Sequence, residues 1–397
     1  MVGKAAGSQS SLRAANKALV LQTVQRWGGL TQIELAAATG LSPASVSTIV
    51  RDLFAAGVVE TATTTRNGRR AQLVTVARRL GLVLGVQFGH RHVHVVLGDF
   101  ALHTIAEHTL PLPNEHRIDT SLDRATLLMA DLLERVGAAF DDVTGVGVGL
   151  PAPVDVATGM VSVPGVMRGW DGIDVGSTLS KRIGRPVFVD NDANLGALAE
   201  STLGAGREYR DAVFVRASYG VGAGVVVGNT VHRGYAGIAG EIGHVLVDPQ
   251  GPICRCGNRG CLDTVVGAAA LVESLRDVLG PLTLRDIVQR ANDGDQACTR
   301  VVADAGAQIG SVLAVVAMVV NPQVMIVGGE LAETGEILLG PLRARVGRRV
   351  VDNRVAPLEV VPAVLGSRAE VMGALLLALQ ATEVPATLLL EAEVEVS

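Results

Sequence analysis

The first 60 residues carry apolar positions at helical spacing in three short segments. Apolar residues recur every three or four positions over residues 12–27. A second helix is predicted from the Thr31 cap to Gly40, a residue suited to the left-handed conformation at a helix end. A third helix begins at the Ser42 cap. Its apolar positions fall at i, i+3, i+4 and i+7 and form one buried stripe: Val46, Ile49, Val50 and Leu53.

The second and third helices, joined by a Gly-containing turn, predict a helix-turn-helix motif. In that motif the second helix enters the major groove, and its polar face and cap here carry Ser42, Ser45, Ser47, Thr48 and Arg51. Two strands are predicted over residues 57–60 and 72–76. Between them, Arg66, Arg69 and Arg70 flank an Asn-Gly turn signal and are suited to DNA phosphates or the minor groove. The segment therefore predicts a winged helix-turn-helix; the alternative is a small helical cap with a solvated basic loop.

From residue 82 the pattern changes to that of β-strands. The first run predicts three strands, a helix and a buried strand, over residues 82–88, 93–97, 103–110, 121–139 and 143–150. A similar run recurs, with strands over residues 212–217, 222–227, 230–232 and 324–327 and helices before the last. Strand meanders followed by a helix and a parallel strand, occurring twice, predict a duplicated α/β architecture with a cleft between its halves.

Charge separates these two parts of the 397-residue chain. Residues 1–80 hold ten Lys or Arg against three Asp or Glu, a balance of +7, and the remainder has a balance of -12. This asymmetry predicts a nucleic-acid-binding head on an acidic body. The most apolar stretch, residues 309–320, is shorter than the ~20 residues that a bilayer requires. With no signal-peptide pattern at the N-terminus, we expect a cytoplasmic protein without membrane insertion.

Three of the four cysteines lie close together, at Cys254, Cys256 and Cys261, downstream of His244. Four cysteines in a chain of this length do not make a disulfide framework. Three thiolates and one imidazole complete a tetrahedral Zn²⁺ shell with no open position, which predicts a structural zinc. The alternative is three buried free cysteines.

A polar cluster, residues 190–194, follows a predicted strand over residues 187–189. Ligands of open α/β sheets bind outside the carboxyl ends of the strands. Because a sugar hydroxyl both donates and accepts hydrogen bonds, the amide of Asn191 beside the carboxylate of Asp192 suits it. A carboxylate there could also accept a hydroxyl proton in phosphoryl transfer. The alternative is a capped turn before a helix over residues 195–203, and the cluster by itself leaves both interpretations open.

Together these motifs resemble the ROK family of repressors and sugar kinases, from about residue 12 to about residue 380. The residues that carry the resemblance are Gly240-Glu241-Ile242-Gly243-His244, the cysteine cluster, Asn191-Asp192, and Asn321-Pro322 before Val327-Gly328-Gly329. It implies a two-lobed actin/hexokinase-like (ribonuclease H-like) α/β body with an N-terminal winged helix-turn-helix domain. It also implies zinc binding by His244, Cys254, Cys256 and Cys261. The implied sugar-binding residues are Asn191, Asp192, Glu241, His244 and Asp263, the last standing where the family usually has Glu.

Kinase members of the family also need two phosphate loops, and both differ here. The first normally reads Asp-x-Gly-Gly-Thr and here reads Gln87-Phe88-Gly89-His90-Arg91. The second normally reads Gly-Thr-Gly-x-Gly and here reads Ser218-Tyr219-Gly220-Val221-Gly222. Phosphoryl transfer depends on positioning and charge stabilisation, so we expect no kinase activity. No catalytic residue is predicted, and Asp192 is interpreted as a vestigial base.

The leading hypothesis is a sugar-responsive transcriptional regulator, foremost a repressor, with a sugar or sugar phosphate in the cleft. We expect it to bind a palindromic operator as a homodimer or homotetramer; control by a transport-system protein docked on the body is a variant. The alternatives are an ATP-dependent hexose kinase with an extra DNA-binding head, which Asp192 and Gly328-Gly329 support, and a scaffold whose body only dimerises. The expected domains are a winged helix-turn-helix domain (1–80), a first lobe (81–195) completed by a helix near 367–381, a second lobe with the zinc loop (196–366), and a tail (382–397).

Overall fold

Three helices and a three-stranded antiparallel sheet form the N-terminal head of the protein. The structure, a computed structural model, describes residues 9–66, 69–77, 80–113, 117–155, 157–163, 165–167, 169–351 and 356–382. The elements of the head are α1 (Gln9–Trp27), β1 (Leu30–Thr31), α2 (Gln32–Thr39), α3 (Pro43–Ala55), β2 (Val59–Arg66) and β3 (Arg69–Val76). The side chain of Thr31 caps α2, and Gly40 ends it with a φ of 70°. The side chain of Ser42 caps α3. The helix ends of the head therefore lie at the cap residues that the sequence predicts.

The two wing strands are longer than the sequence analysis predicts. β2 continues to Arg66 and β3 begins at Arg69, whereas the predicted strands end at residue 60 and begin at residue 72. The prediction was wrong because the threonine-rich segment 61–65 lacks apolar alternation, although its β-branched side chains favour a strand. Arg66 and Arg69 therefore lie at strand ends. Residues 67 and 68 lie outside the described residues.

The first lobe of the body contains a five-stranded mixed sheet in the order β10-β7-β4-β5-β6. Its elements are β4 (Leu82–Phe88), β5 (His92–Asp99), β6 (Thr104–Pro111), α4 (Ile118–Arg135), β7 (Val143–Leu150), β8 (Val154–Asp155), β9 (Met160–Val161), α5 (Val175–Ile183) and β10 (Val187–Asn191). β4 pairs antiparallel with β5 and parallel with β7, which in turn pairs parallel with β10. The carboxyl ends of these parallel strands therefore meet at one edge of the sheet.

The second lobe repeats this arrangement in a sheet of order β13-β12-β11-β14-β15. Its elements are α6 (Asp192–Leu203), β11 (Ala212–Ala217), β12 (Val221–Val227), β13 (Thr230–His232), α7 (Asp263–Val266), α8 (Ala268–Leu279), α9 (Leu284–Asn292), α10 (Gln296–Val320), β14 (Val324–Gly328), α11 (Glu336–Arg349), β15 (Glu359–Pro362) and the C-terminal α12 (Ala369–Ala381). Each sheet holds an antiparallel meander of its first three strands, followed by two parallel strands beside the first. The duplicated α/β architecture predicted from the sequence is confirmed.

Helices α6 and α12 pack against each other between the two sheets. α12 lies on β4 and β7 of the first sheet, and α6 lies on β11 and β12 of the second. The backbones approach so closely that a Cβ at Gly147 would lie 1.8 Å from the carbonyl oxygen of Ala374. Because α6 begins at Asp192, the domain boundary placed after residue 195 falls inside this helix. The α6–α12 pair therefore connects the two lobes.

The head docks onto the body through α1 and α12. Val20 and Val24 of α1 share one buried apolar cluster with Leu375 and Leu379 of α12. The side chain of Arg207 also donates to the carbonyl oxygen of Gly29 at 3.1 Å. The head is therefore in contact with the helix that packs on the first lobe.

Helix α10 has the length and apolar composition of a membrane span, but half of its most apolar window is buried. It packs on α9 and α11, and its residues belong to the apolar core of the second lobe. Cys298, on this helix, is fully buried in the same core.

Candidate functional site

The sugar-binding residues that the sequence predicts line one cleft between the lobes. Asn191, Asp192, Glu241, His244 and Asp263 all contribute to its walls. Asn191 ends β10 and Asp192 begins α6, so both stand at the carboxyl edge of the first sheet. The other three come from the second lobe, on the turn around residues 241–244 and at the start of α7. The fold therefore brings together residues that are up to 72 positions apart in sequence.

Asn191 combines the two roles that the sequence left open. Its Oδ1 accepts hydrogen bonds from the backbone N–H groups of Ala193 and Asn194, at 2.8 and 3.2 Å, and so caps α6. Its Nδ2 donates to the carbonyl oxygen of Ala152 at 3.0 Å and lies 3.5 Å from Oε1 of Glu241. The cap fixes the amide, so that only its Nδ2 side is directed toward the cleft.

Glu241 and Asp263 differ in how much of each carboxylate is already engaged. Oδ1 of Asp263 accepts from the backbone N–H of Val221 at 2.7 Å, and its Oδ2 lies 3.4 Å from the guanidinium of Arg255. Glu241 has weaker contacts, at 3.5 Å to Asn191 and 3.8 Å to His244. Burial, together with the nearby charges of Asp192 and Asp263, raises the pKa of Glu241 to about 7. Glu241 is therefore the carboxyl group with the most capacity left for a ligand.

The His244 side chain lies between the cleft and the cysteine cluster. Its Nδ1 is 3.5 Å from Sγ of Cys254, and its Nε2 is 3.8 Å from Oε2 of Glu241. The thiols of Cys256 and Cys261 are 3.7 Å apart. The four ligand atoms all lie within 4.8 Å of one another, an arrangement that could hold a metal ion. One imidazole therefore contacts the cleft through one nitrogen and the cysteine cluster through the other.

The most buried charges of the site, around Arg216, were missed by the sequence analysis. The guanidinium of Arg216 on β11 lies 2.7 Å from Oε1 of Glu370 on α12 and 3.5 Å from Oδ2 of Asp192 on α6. The three side chains are 7%, 5% and 7% exposed, respectively. Burial disfavours the charge of Arg216, but the carboxylates of Asp192, Glu370 and Glu330 outweigh this effect and raise its pKa above the usual value. The sequence did contain a signal for this cluster. Arg216 is the single charged residue of the apolar strand 212–217, and Glu370 is the single charged residue of the apolar helix 369–381.

Burial raises the pKa of both carboxyl groups in this triad. Asp192 and Glu370 share one guanidinium with the neighbouring Glu330, so the carboxylates outnumber the guanidinium when all of these groups are ionised. For Asp192 the cause is desolvation, partly offset by Arg216. For Glu370 desolvation also comes first, and the pKa rises to about 7. Asp192 therefore stands in a charged cluster that spans both lobes, in addition to lining the cleft.

The two altered phosphate loops face each other across the cleft. The ring of His90, from the first loop, and the ring of Tyr219, from the second, have centroids 5.3 Å apart at an angle of 43°. His90 also lines the cleft beside Asp192 and Arg216. Two bulky side chains therefore meet at the positions where the resemblance to kinases implies small residues in both loops.

Six of the eight predicted DNA-binding residues are exposed on the head. Ser42, Ser45, Ser47, Thr48, Arg51 and Arg70 are exposed. Two of the serines are also engaged locally, because the hydroxyl of Ser42 accepts from the backbone N–H of Ser45 at 3.1 Å. Arg66 is partly buried and lies 3.6 Å from Glu34 of α2, which ties the wing to the helices. The side chain of Arg69 is outside the described residues.

The ROK family model matches residues 83–381, which is most of the chain. The chain belongs to the ROK family. A second family model, that of the MarR family, matches residues 14–71 of the head. The fold class inferred from the sequence, a ROK-type two-lobed body with an N-terminal winged helix-turn-helix domain, is thereby confirmed.

Relatives of this ROK family chain include regulators and a kinase. The xylose repressor of Caldicellulosiruptor bescii is 27% identical over 387 residues, covering 92% of this chain and 96% of the relative. The structure of a ROK family transcriptional regulator, a homologue of the Escherichia coli MLC protein, is 25% identical with a TM-score of 0.73 and covers 96% of this chain and 99% of its own. The structure of the ROK family glucokinase of Streptomyces griseus in complex with glucose and AMPPNP is 28% identical with a TM-score of 0.69. The match covers 76% of this chain and 100% of the glucokinase chain. The regulators match head and body, whereas the kinase matches a part of the chain.

Proposed function

We infer that this protein is a sugar-responsive transcriptional repressor. The observation that carries this inference is the joining, in one chain, of a MarR-like winged helix-turn-helix head to a ROK body whose cleft gathers an amide and three carboxylates. Amide and carboxylate groups suit the hydroxyls of a sugar, which both donate and accept. The xylose repressor of Caldicellulosiruptor bescii, related over nearly its whole length, has the same class of function in its name.

In this proposal the effector binds between the lobes. Asn191, Asp192, Glu241, His244 and Asp263 hold the hydroxyls of a sugar or sugar phosphate. Since these residues come from both lobes, a bound sugar stabilises one arrangement of the lobes over another. Helix α12 packs on the first lobe and contacts α1 of the head, so a lobe movement is passed to the DNA-binding surface.

The proposed protein is not an enzyme, although its body is related to glucokinase. His90 and Tyr219 occupy the region where kinases of the family accept phosphate, and Gln87 replaces the carboxylate that would organise Mg²⁺. Asp192, the residue placed to act as a base, is engaged instead with Arg216. We therefore propose that phosphoryl transfer has been lost and that Asp192 acts only as a hydroxyl acceptor.

A structural zinc is proposed at His244, Cys254, Cys256 and Cys261. Two sulfurs bound at about 2.3 Å to a tetrahedral ion lie about 3.7 Å apart, and the thiols of Cys256 and Cys261 have this separation. Three soft thiolates and one imidazole favour Zn²⁺ over the oxygen-seeking cations. When bound, the ion would hold the loop and fix the orientation of His244.

The operator interface is proposed on α3 and the wing. The exposed residues Ser45, Ser47, Thr48 and Arg51 are expected to face the major groove, and Arg70 the phosphates. A palindromic operator requires two heads, so we propose a homodimer or homotetramer acting in the cytoplasm. A transport-system protein docked on the body is a variant way of moving the same lobes.

The proposal is tested by fluorescence anisotropy of the purified, zinc-loaded protein on its own upstream DNA, at fixed salt, titrated with sugars and sugar phosphates. We expect specific binding and at least one compound that weakens it several-fold. Glu241→Gln should abolish the response to that compound while the protein still binds the operator, because Glu241 lies in the cleft and not on the head. Glu134→Gln, on the exposed end of α4, is the matched control and should keep the response.

Two outcomes would contradict the proposal. Specific binding that no compound changes would favour a partner-protein receptor or a scaffold. Phosphate transfer from ATP to a hexose, at a rate that Asp192→Asn abolishes, would favour a kinase instead.

A further inference from the structure

A cleft of about 430 Å³ lies at the junction of the head and the body, apart from the sugar site. One wall is the face of α1 that carries Gln22, Gln25 and Arg26. The opposite wall is formed by α6 and by the β12–β13 hairpin with the following Arg233. Its volume lies within the roughly 300–1,000 Å³ typical of small-molecule sites. A ligand in this cleft would contact the head and the second lobe at once.

The described residues that line this junction cleft include two arginines and no carboxylate. The absence of carboxylates from this lining contrasts with the charge balance of -12 over the residues that follow the head. Arg26 donates to the carbonyl oxygen of Asn229 and, at 3.0 Å, to the hydroxyl of Thr230, which are both neutral acceptors. Among the described residues, no carboxylate lies within ion-pair distance of Arg26. Its charge is therefore available to an anion.

Two polar groups in the same lining lack partners. Nε2 of Gln25 and Oγ of Ser201 are buried and have no hydrogen-bond partner among the described residues. Gln25 as a whole is only 7% exposed. A buried donor without an acceptor is unfavourable, so a rotation of either side chain toward a ligand in the cleft that offers acceptor oxygens would be favourable. Gln25 lies on the same wall as Arg26, and Ser201 lies on the opposite wall.

We propose that the junction cleft binds a small oxyanion, a phosphate ester or a carboxylate, as a second ligand of this protein. The oxyanion accepts hydrogen bonds from Arg26 and Gln25 on α1 and from Ser201 on α6. Arg233 lies at the far side of the cleft and adds a second positive charge, part of which Asp190 already balances at 2.7 Å. The ligand therefore bridges the head to α6.

Asp190 connects the junction cleft to the sugar site. Its Oδ2 accepts from Nε of Arg233, and its Oδ1 accepts from the backbone N–H of Asn191 at 2.8 Å and from Asn194 at 3.0 Å. An anion that draws Arg233 away from Asp190 alters the support of Asn191, the sugar-binding amide. The two sites are therefore coupled through one buried carboxylate, and each ligand changes the affinity of the other by the same factor.

Calorimetric titration of the full chain tests the proposal directly. The probes are inorganic phosphate, glucose 6-phosphate and gluconate, with glucose as the neutral counterpart. We expect saturable binding of at least one anion and at least tenfold weaker binding of that anion to Arg26→Gln. Arg13→Gln, an exposed arginine on the same helix, is the matched control and should bind as the unaltered protein does. Glucose 6-phosphate against gluconate distinguishes the two sources of the oxyanion.

Trp27 locates the bound anion independently of its affinity. The chain has two tryptophans, and Trp27 lines the junction cleft, 5.9 Å from the guanidinium carbon of Arg26, whereas Trp170 is buried in the first lobe. In a Trp170→Phe background, we expect the saturating anion to shift the Trp27 emission. An affinity that Arg26→Gln leaves unchanged would place the anion elsewhere, for example at Arg216, and would overturn the proposal. The absence of saturable binding by all three anions would also overturn it.

Discussion

Replacing Arg216 by Met would leave the two most buried carboxylates of the interlobe cluster without their cation. Asp192 and Glu370 are 7% and 5% exposed, and both contact this one guanidinium. Removing one member of a buried ion pair typically destabilises a protein by about 3–5 kcal/mol, because an uncompensated charge stays buried. We therefore expect Arg216→Met to lower the free energy of unfolding by about 3–5 kcal/mol at pH 8.

The loss in the free energy of unfolding caused by Arg216→Met should be smaller at pH 5 than at pH 8. The pKa of Glu370 is already raised to about 7, first by burial, and the pKa of Asp192 is raised for the same reason. Without Arg216 both values rise further. A carboxyl with a raised pKa in the folded state contributes stability below its unfolded pKa and loses it as pH increases through the folded value. Protonation at pH 5 therefore removes the buried charge, and we expect less than half of the deficit to remain.

Equilibrium urea unfolding followed by circular dichroism measures both values. Arg135→Met is the matched control, because Arg135 pairs with Asp131 at 2.7 Å on the surface, where the two side chains are 58% and 47% exposed. A surface pair of this kind contributes about 0–1 kcal/mol, so this control should show a small effect at either pH. A deficit below about 1 kcal/mol for Arg216→Met, or one that is equal at pH 5 and pH 8, would refute the reasoning.

Three further predictions address the metal, the lobe packing and the wing. Cys256→Ser should lower bound zinc well below one ion per chain by elemental analysis and lower the melting temperature, whereas Cys298→Ala should affect only the melting temperature. Gly147→Ala should destabilise by about 1–3 kcal/mol, because its Cβ would meet a carbonyl oxygen of α12 at 1.8 Å; Gly347→Ala, at an exposed position of α11 where a Cβ would meet no atom within 4 Å, should not destabilise. Arg70→Ala should weaken DNA binding for all sequences and reduce the slope against log salt by about 1; an unchanged slope would contradict the wing assignment.

Local signals predicted a large part of this fold. Helix caps at Thr31 and Ser42 and the glycine at residue 40 act within one turn, so the residues that form them are adjacent in the chain. The repeated meander in the body was visible for the same reason, since alternation is a property of neighbouring residues. The polar segment 61–65 was missed because its strand is stabilised by pairing with β3 and not by an apolar face.

In the candidate site, too, local motifs could be predicted from the sequence and long-range contacts could not. Asn191 and the cysteine cluster could be found because they stand in short motifs with a recognisable chemistry, and Glu241 was found through the resemblance to the ROK family. The partners of Arg216 could not, because β11 and α12 are 154 residues apart where they contribute this ion pair. The contact of His90 with Tyr219 was likewise hidden, although each substitution was noted separately.

The sequence by itself determined the order of the domains, the caps, the basic head on an acidic body, and the residue types available for sugar and metal. Those features depend on composition and on spacing within a few turns or strands. The tertiary structure alone decided which distant residues come together: the Asp192–Arg216–Glu370 cluster, the contact of His90 with Tyr219, and the junction cleft lined by Arg26 and Arg233. Each of these joins side chains from separate lobes or from distant loops, and such contacts exist only when the apolar packing of the sheets on α6, α12 and α1 brings those elements together.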